Sequence, residues 1–407
     1  MVVATLPHPT GAVWSGFHAL QDLLASMRFV AAPIGRDPRL DLLRGFCVFA
    51  MIVDHIGGSS WLYTLTGGNT GPITAAEGFV FLSGLVLGIV SRRRVSRDGI
   101  EAAIRSSLAR AWTLYALTAG LTLIFVGLTA WTGLALWVDR SLLGEIESWP
   151  ALIASVALLR FTWHGTDVLA LYALLLLATP FALLLLAAGR PWHLLTGSWA
   201  VWLLFQVAPE RAIIPWPIEH ATTFPVAAWQ VLFISALTIG YYREELVAWL
   251  SRAADQPYAA SPGYRAALGA AAVGLLLLAT ALSTGQAYAM GQSVPALGGL
   301  DLFDKSGLGI GRIATFASIG LLVYVALTLC WHPIERAVGW LLIPLGQASL
   351  YAYAVHLFVI VLAYNVPPYV GSTEEGWELH NTLGQVLMVI LIWAMVKRKV
   401  LFGVIPR

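Results

Sequence analysis

The stretch 36–58, RDPRLDLLRGFCVFAMIVDHIGG, places Asp41, Arg44, Asp54 and His55 inside a run that is otherwise mostly apolar. An imidazole with a pKa near neutrality is the natural general base for a hydroxyl proton. A guanidinium holds anionic oxygens through paired hydrogen bonds. Arg44 and His55 are eleven positions apart. On a helix that is three turns plus about 20°, so the two share a face about 16–17 Å apart along the axis. Asp41 falls on the same stripe one turn before Arg44. Such a helix face carries a carboxylate–guanidinium pair at one end and an imidazole at the other. Asp54 is next to His55 in sequence but about 100° away around the helix, so it orients the imidazole only through a bent geometry. The plain structural alternative is a buried Asp41–Arg44 pair with a helix-end histidine facing water.

The elements that must position these groups follow from composition. Of 407 residues, 58% are hydrophobic and 11% charged, against roughly 25% charge in an ordinary soluble domain. With 24 basic and 22 acidic side chains the chain cannot cover a water-soluble surface of this size, so soluble α/β enzyme folds are excluded. The expected fold is all-α: a polytopic membrane bundle of about ten transmembrane helices in the lipid bilayer. The apolar runs are 40–57, 74–91, 108–131, 167–188, 193–208, 226–242, 265–284, 312–331, 343–364 and 382–401, and the run 150–160 is too short to span. Placing Arg92, Arg93, Arg94 and Arg97 in the cytoplasm puts both termini there. It leaves only Arg140, Arg160, Arg211, Lys305 and Arg312 of the 24 basic residues outside, as the positive-inside rule requires. Ionisable groups inside such a bundle are costly and mark functional sites. Residues 1–36 form a leader without the pattern of a cleavable signal; residues 12–30 have amphipathic helical spacing suited to the bilayer surface, or belong to a disordered segment. Residues 37–407 form the membrane domain. A net charge of +2 with no basic block gives no sign of nucleic-acid binding. Cys47 and Cys330 sit in apolar runs as core residues, and no grouping of His, Cys or carboxylates has metal-ligand spacing.

Several further residues are candidates. Glu77, one turn inside the second run, is either a helix-start acid favoured by the dipole or a site residue paired with an Arg or His across the bundle. Lys305 and Arg312, seven apart, share a face if that segment is helical, and can anchor a helix or clamp a negative group. His356 lies mid-span on the stripe of Ser349, Tyr353 and Tyr364. Trp229 and Gln230 open the sixth run near the outer side, where tryptophan is common as an interface residue and can also stack on a sugar. Arg92, Arg93, Arg94 and Arg110 crowd one cytoplasmic connection.

The order of these motifs resembles a known family. Arg44, ten residues, then His55 resembles the Arg/Lys-x10-His signature of the membrane acyltransferase-3 superfamily. Arg36, Asp37, Arg39, Asp41, Arg44, Gly45, then Asp54, His55, Ile56 is similar to the opening of its OpgC branch, the periplasmic-glucan succinyltransferase C type. AAEGFVFLSG (75–84), VLALYALLLLATP (168–180), FPVAAWQVLF (224–233), DKSGLGIGR (304–312) and GQASLYAYAVH (346–356) resemble later segments of that branch in the same order. One departure is Pro225-Val226, where the branch has Asn-Pro. The resemblance implies an O-acyltransferase in the cytoplasmic membrane. It would take succinyl-CoA or acetyl-CoA as donor, with no permanently bound cofactor, and an extracytoplasmic polysaccharide or glycolipid as acceptor. His55 is then the base, with Arg44, Asp54 and Asp41 beside it. Glu77, Lys305, Arg312, Trp229, Gln230 and His356 face substrate, and Arg92, Arg93, Arg94 and Arg110 hold the coenzyme A phosphates. Bundles of this size occur as monomers or homodimers. Two other classes compete: a transporter or flippase for a sugar or glycolipid, which predicts repeats and broken spans at the midplane, and a non-catalytic subunit, which leaves the Arg44–His55 alignment unexplained.

Overall fold

A computed structural model of the chain describes residues 26–29, 36–68, 73–132, 134, 148–163, 165–209, 224–254, 269, 271–280, 302–367 and 370–406. All regular elements among them are helical. In chain order they are α1 (Pro38–Ile56), α2 (Tyr63–Thr66), α3 (Ala75–Asp98), α4 (Ile100–Trp131), α5 (Trp149–Ala157), α6 (Asp167–Ala187), α7 (Pro191–Val207), α8 (Val226–Tyr241), α9 (Arg243–Ala254), α10 (Ala271–Thr280), α11 (Ile310–Leu329), α12 (Trp331–Gln347), α13 (Ser349–Asn365) and α14 (Glu378–Lys397).

Five of them, α3, α4, α6, α11 and α14, are long and apolar enough to cross a membrane, with a sixth if the bent pair α12–α13 is one span. This is a membrane protein of all-helical fold. The other expected runs fall short of that test for physical reasons. The first, α1, carries Arg39, Asp41, Arg44 and Asp54 within 19 residues. Helices α7 and α8 have 17 and 16 residues, and the run 265–284 is described only over part of its length. The short run 150–160 is the nine-residue α5. Most of the leader, including residues 12–25 and 30 of the amphipathic stretch 12–30, lies outside the described residues, as do Arg140, Arg211, His164 and His220.

α1 begins where its sequence says it should. Asp37 is the N-cap and accepts from the Arg39 amide, Pro38 follows at the first helical position, and Gly57 ends the helix at φ 73°. Its neighbours approach it closely because two glycines meet. A Cβ on Gly45 would strike the backbone carbonyl of Leu342 in α12, and one on Gly346 would strike that of Asp41. Small residues at a helix crossing are how membrane helices gain packing without a hydrophobic drive between them. Gly84, Gly88 and Gly240 do the same for α3 and α8.

The expected span 343–364 is not one helix. It breaks at Ala348, and the axes of α12 and α13 differ by 92°. Helix α12 is itself disturbed before the break, with a π turn over Glu335–Gly339 and Pro344 inside its last segment. The break lets α12 lie along the N-terminal half of α1 while α13 follows its C-terminal half. Gly45→Ala is expected to lower the stability of the detergent-solubilised protein by about 1–3 kcal/mol through overpacking. Gly120→Ala, where a Cβ meets open space, leaves it unchanged or slightly raised. Thermal unfolding of the two variants side by side checks this.

Candidate functional site

At the C-terminal end of α1, His55 meets His356 from the middle of α13. Nδ1 of His55 and Nε2 of His356 are 2.9 Å apart, with ring centroids at 5.2 Å and planes inclined by 30°. His356 is 1% exposed, and its Nδ1 lies against the backbone carbonyl of Tyr353 one turn earlier. The Tyr353 ring packs edge-on to His356 at 4.6 Å, and its hydroxyl donates to the Gly165 carbonyl at 2.6 Å. The last carbonyls of α1 lack helical partners, as at every helix end. Tyr364 donates to the Ile56 carbonyl at 2.6 Å, and the Gln385 amide donates to the Gly57 carbonyl at 2.9 Å. Gln385 in turn accepts from Ser60 at 2.6 Å. Asn381, one turn earlier on α14, donates to the carbonyls of Ser59 and Ser372. The helix end that carries His55 is thus tied down by α13 and α14 together.

At the N-terminal end, Arg44 donates from Nη2 to Ser349 Oγ at 2.7 Å, at the first turn of α13. Arg44 and His55 therefore turn toward the same helix, as the shared stripe requires. The expected Asp41–Arg44 pair is not what forms. Asp41 accepts from Arg36 at 2.8 Å and from the Gln347 amide at 3.4 Å. The chain enters α1 from a direction that carries Arg36 to Asp41, which leaves Arg44 to cross to α13. Arg44 is 8% exposed and its Nε has no hydrogen-bond partner among the described residues.

Arg44 lines the inner end of a cavity of about 470 Å³. Around it stand Arg36, Arg93, Arg94, Arg110 and Arg243, opposed by Asp37 and Asp41, with Ser83 and Tyr172 also in the wall. Ser83 is buried and its hydroxyl also has no partner among the described residues. Burial acts to raise the Asp37 carboxyl, but hydrogen bonds from Arg39 and the charges of Arg39 and Arg243 outweigh it and hold it below the usual carboxylate range. His55 is not among the lining residues. Val48 and Met51 stand between it and Arg44 on the stripe, 1% and 6% exposed.

Beside α1, Glu77 and Arg312 form a fully buried ion pair. Glu77 is also the third residue of a capping box, accepting from the Thr74 amide at 2.9 Å and from its hydroxyl at 2.5 Å. Glu77 is thus at once a helix-start acid and, through Arg312, paired across the bundle. Arg312 Nη2 has no hydrogen-bond partner among the described residues. Lys305, in the segment before α11, is lowered by burial against the opposing pull of Glu77 and Asp54. Asp54 accepts from Thr66 Oγ1 at 2.6 Å, so it is engaged with the 57–68 connection. Tyr63 in that connection is pushed up to about 12 by burial and by Asp54.

Two expected groups are placed differently. Trp229 is 0% exposed and shows no ring face to a ligand; its Nε1 donates to the Ser306 carbonyl at 3.0 Å, and it meets Phe224 edge-on. Gln230 exchanges hydrogen bonds with Ser198, at 2.6 Å through its carbonyl and 2.8 Å through its amide, and so joins α8 to α7. Both hold the helices around the 302–309 segment. Arg93, Arg94 and Arg110 line the cavity, whereas Arg92 turns outward to Glu245 at 2.7 Å and over the Tyr241 ring. The sequence reading passed over Arg36, Arg243 and Ser83 at the cavity and Asn381 and Gln385 at the helix end. Polar residues four apart on the apolar helix 378–397 were the available signal for the last two.

The family model described as "OpgC protein" matches residues 36–402, and the chain belongs to that family. Comparison with curated proteins finds no match, and comparison with solved structures finds none. Membership, with the apolar helices, points to a membrane acyltransferase acting on glucan.

Removing one member of a buried ion pair leaves an uncompensated charge, at about 3–5 kcal/mol. Arg312→Met is therefore expected to destabilise the protein by that order, and the double variant Glu77→Gln/Arg312→Met to recover much of the loss. Denaturation midpoints of the single and double variants give the coupling between the two residues.

Proposed function

We propose that this protein is a cytoplasmic-membrane O-acyltransferase of about ten spans with both termini in the cytoplasm. It moves an acyl group, succinyl or acetyl, from cytoplasmic acyl-coenzyme A to a hydroxyl of an extracytoplasmic glucan. The observation that carries this reading is the pairing of an arginine-lined cavity that contains the buried Arg44 with an imidazole on the same helix face, eleven residues beyond Arg44. The donor phosphates suit the guanidinium groups at the mouth, where Arg93, Arg94, Arg110, Arg36 and Arg243 outnumber two carboxylates. Arg44 Nε and Ser83 Oγ at the inner end are buried donors in need of an acceptor, and the amide and thioester oxygens of the donor's arm supply one.

On this reading the donor's arm passes Val48 and Met51 to reach His55. Methionine is unbranched and adaptable, which suits a position that must yield. The acceptor hydroxyl attacks the thioester carbon while its proton goes to His55. The carbon–sulfur bond then breaks, and the sulfur takes that proton as coenzyme A leaves. Holding both reactants in line removes roughly 7–11 kcal/mol of the barrier, and the base adds about 10²–10⁴-fold. Lys305 and the unpartnered Nη2 of Arg312 are the cations for a developing oxyanion or for the distal carboxylate of a succinyl donor.

The 92° break between α12 and α13 is a feature that transporters also use, so a flippase is the second reading. Purified protein given radiolabelled acyl-coenzyme A separates the two. The enzyme reading expects thioester turnover and glucan acylation that fall by about 10²–10⁴-fold in His55→Ala, with the protein still folded, and a raised donor KM in Arg44→Ala. Full activity in His55→Ala rules out the base assignment, and no turnover in the intact protein rules out the enzyme.

A further inference from the structure

We propose that His356 is a positioning residue that fixes the tautomer of His55 and so determines which of its nitrogens can take a proton. The proposal rests on the acyltransferase reading for its consequence but not for its geometry.

Three groups form a chain: the Tyr353 carbonyl, His356 and His55. A carbonyl oxygen only accepts, so the His356 nitrogen against the Tyr353 carbonyl, Nδ1, carries the hydrogen. His356 is 1% exposed, where an unpaired charge is far more costly than a neutral ring. Its other nitrogen, Nε2, therefore holds a lone pair and accepts. The atom 2.9 Å from that lone pair is Nδ1 of His55, which must then be the donor. A neutral His55 has one hydrogen on its ring, and Nδ1 has it. Nε2 is left with the lone pair, and that nitrogen is the base.

The anchor of this chain is rigid. The Tyr353 carbonyl belongs to the same helix as His356, so the first link is set by one turn of α13. The Tyr353 side chain is pinned by its bond to Gly165 and by stacking on Phe79. On the other side, Tyr364 and Gln385 hold the end of α1. Both rings thus sit on elements that cannot rotate away from each other. The arrangement does for an imidazole what a buried carboxylate does in a Ser-His-Asp triad: it selects the tautomer and steadies the ring. It differs in using a neutral imidazole where the triad uses a carboxylate. When His55 takes the acceptor's proton on Nε2, Nδ1 keeps its hydrogen and its bond to His356, and the proton returns from Nε2 to the leaving sulfur.

Two readouts test this. The first is the ¹⁵N spectrum of the histidine rings in ¹⁵N-histidine-labelled protein in detergent, with His55→Gln and His356→Gln for assignment. His55 is expected as the Nδ1–H tautomer with an unprotonated Nε2; a His55 found as the Nε2–H tautomer overturns the proposal whether or not the protein proves to be an acyltransferase. The second is kinetic. His356→Leu removes the acceptor and is expected to lower kcat by about 10²–10⁴-fold with the donor KM unchanged. His356→Gln offers a carbonyl oxygen in place of Nε2 and is expected to stay within about tenfold of the intact enzyme. If His356→Leu keeps its kcat, or if the Gln variant folds but loses as much activity as the Leu variant, His356 does not act through the tautomer.

Discussion

A charged helix in an apolar bundle is stable only if its charged side chains find partners inside the protein, and that requirement organises this molecule around α1. Arg39 is held by Asp37, by Thr328 and between the rings of Phe29 and Tyr324. Asp41 goes to Arg36, Arg44 to Ser349, Asp54 to Thr66 and His55 to His356. The free carbonyls at its end go to Tyr364 and Gln385. These partners come from the leader, α11, α13, α14 and the 57–68 connection. Unsatisfied polar groups in hydrocarbon cost several kcal/mol each, so the surrounding helices are arranged by what α1 needs as much as by packing.

The break in the α12–α13 pair follows from the same demand. A straight helix crossing α1 meets it closely at one place. Bending at Ala348 lets one part of the pair pack glycine against backbone near Gly45, while the other brings Ser349 to Arg44 and His356 to His55. Non-helical backbone at such depth is tolerated because it is buried in protein rather than facing lipid. Gln347, at the break, spends its side chain on Asp41, so the irregular turn is itself joined to α1.

Much of this was legible in the chain, and the part that was not has a common cause. The end of the first run at residue 57 and the stripe that joins Arg44 to His55 depend only on local chemistry and helical pitch, whereas the helix starts at Pro38, two residues before the apolar run at 40, because Asp37 caps it. The capping role of Glu77 is likewise local. Partners across the bundle are different. That Arg36 displaces Arg44 at Asp41 depends on the direction of chain entry, and that Arg312 meets Glu77 depends on two helices more than two hundred residues apart. Trp229 reads equally well as an interface or a stacking residue until its indole hydrogen is seen to hold the Ser306 carbonyl. The break at Ala348 escaped because Pro344 and Gly346 are ordinary residues of membrane helices, and hydropathy runs straight through them.

The two ends of α1 show opposite treatments of polar groups, and that contrast separates their roles. At the His55 end, hydrogen-bond capacity is used up: both His356 nitrogens, the Tyr353 and Tyr364 hydroxyls and the amides of Asn381 and Gln385 are all engaged. A saturated network holds a ring in one orientation, which is what a proton acceptor requires. At the Arg44 end, capacity is left over: Arg44 Nε and Ser83 Oγ are buried without partners among the described residues, and guanidinium groups outnumber carboxylates around an open volume. A buried donor without an acceptor is unfavourable, so on the proposed reading a donor molecule that brings oxygen atoms to these groups gains affinity from satisfying them. One helix therefore carries an end with guanidinium groups to spare around an open volume and, about 16 Å away, an end whose imidazole is held in place; on the proposed acyltransferase reading these are the donor site and the base, with the side chains of Val48 and Met51 between them.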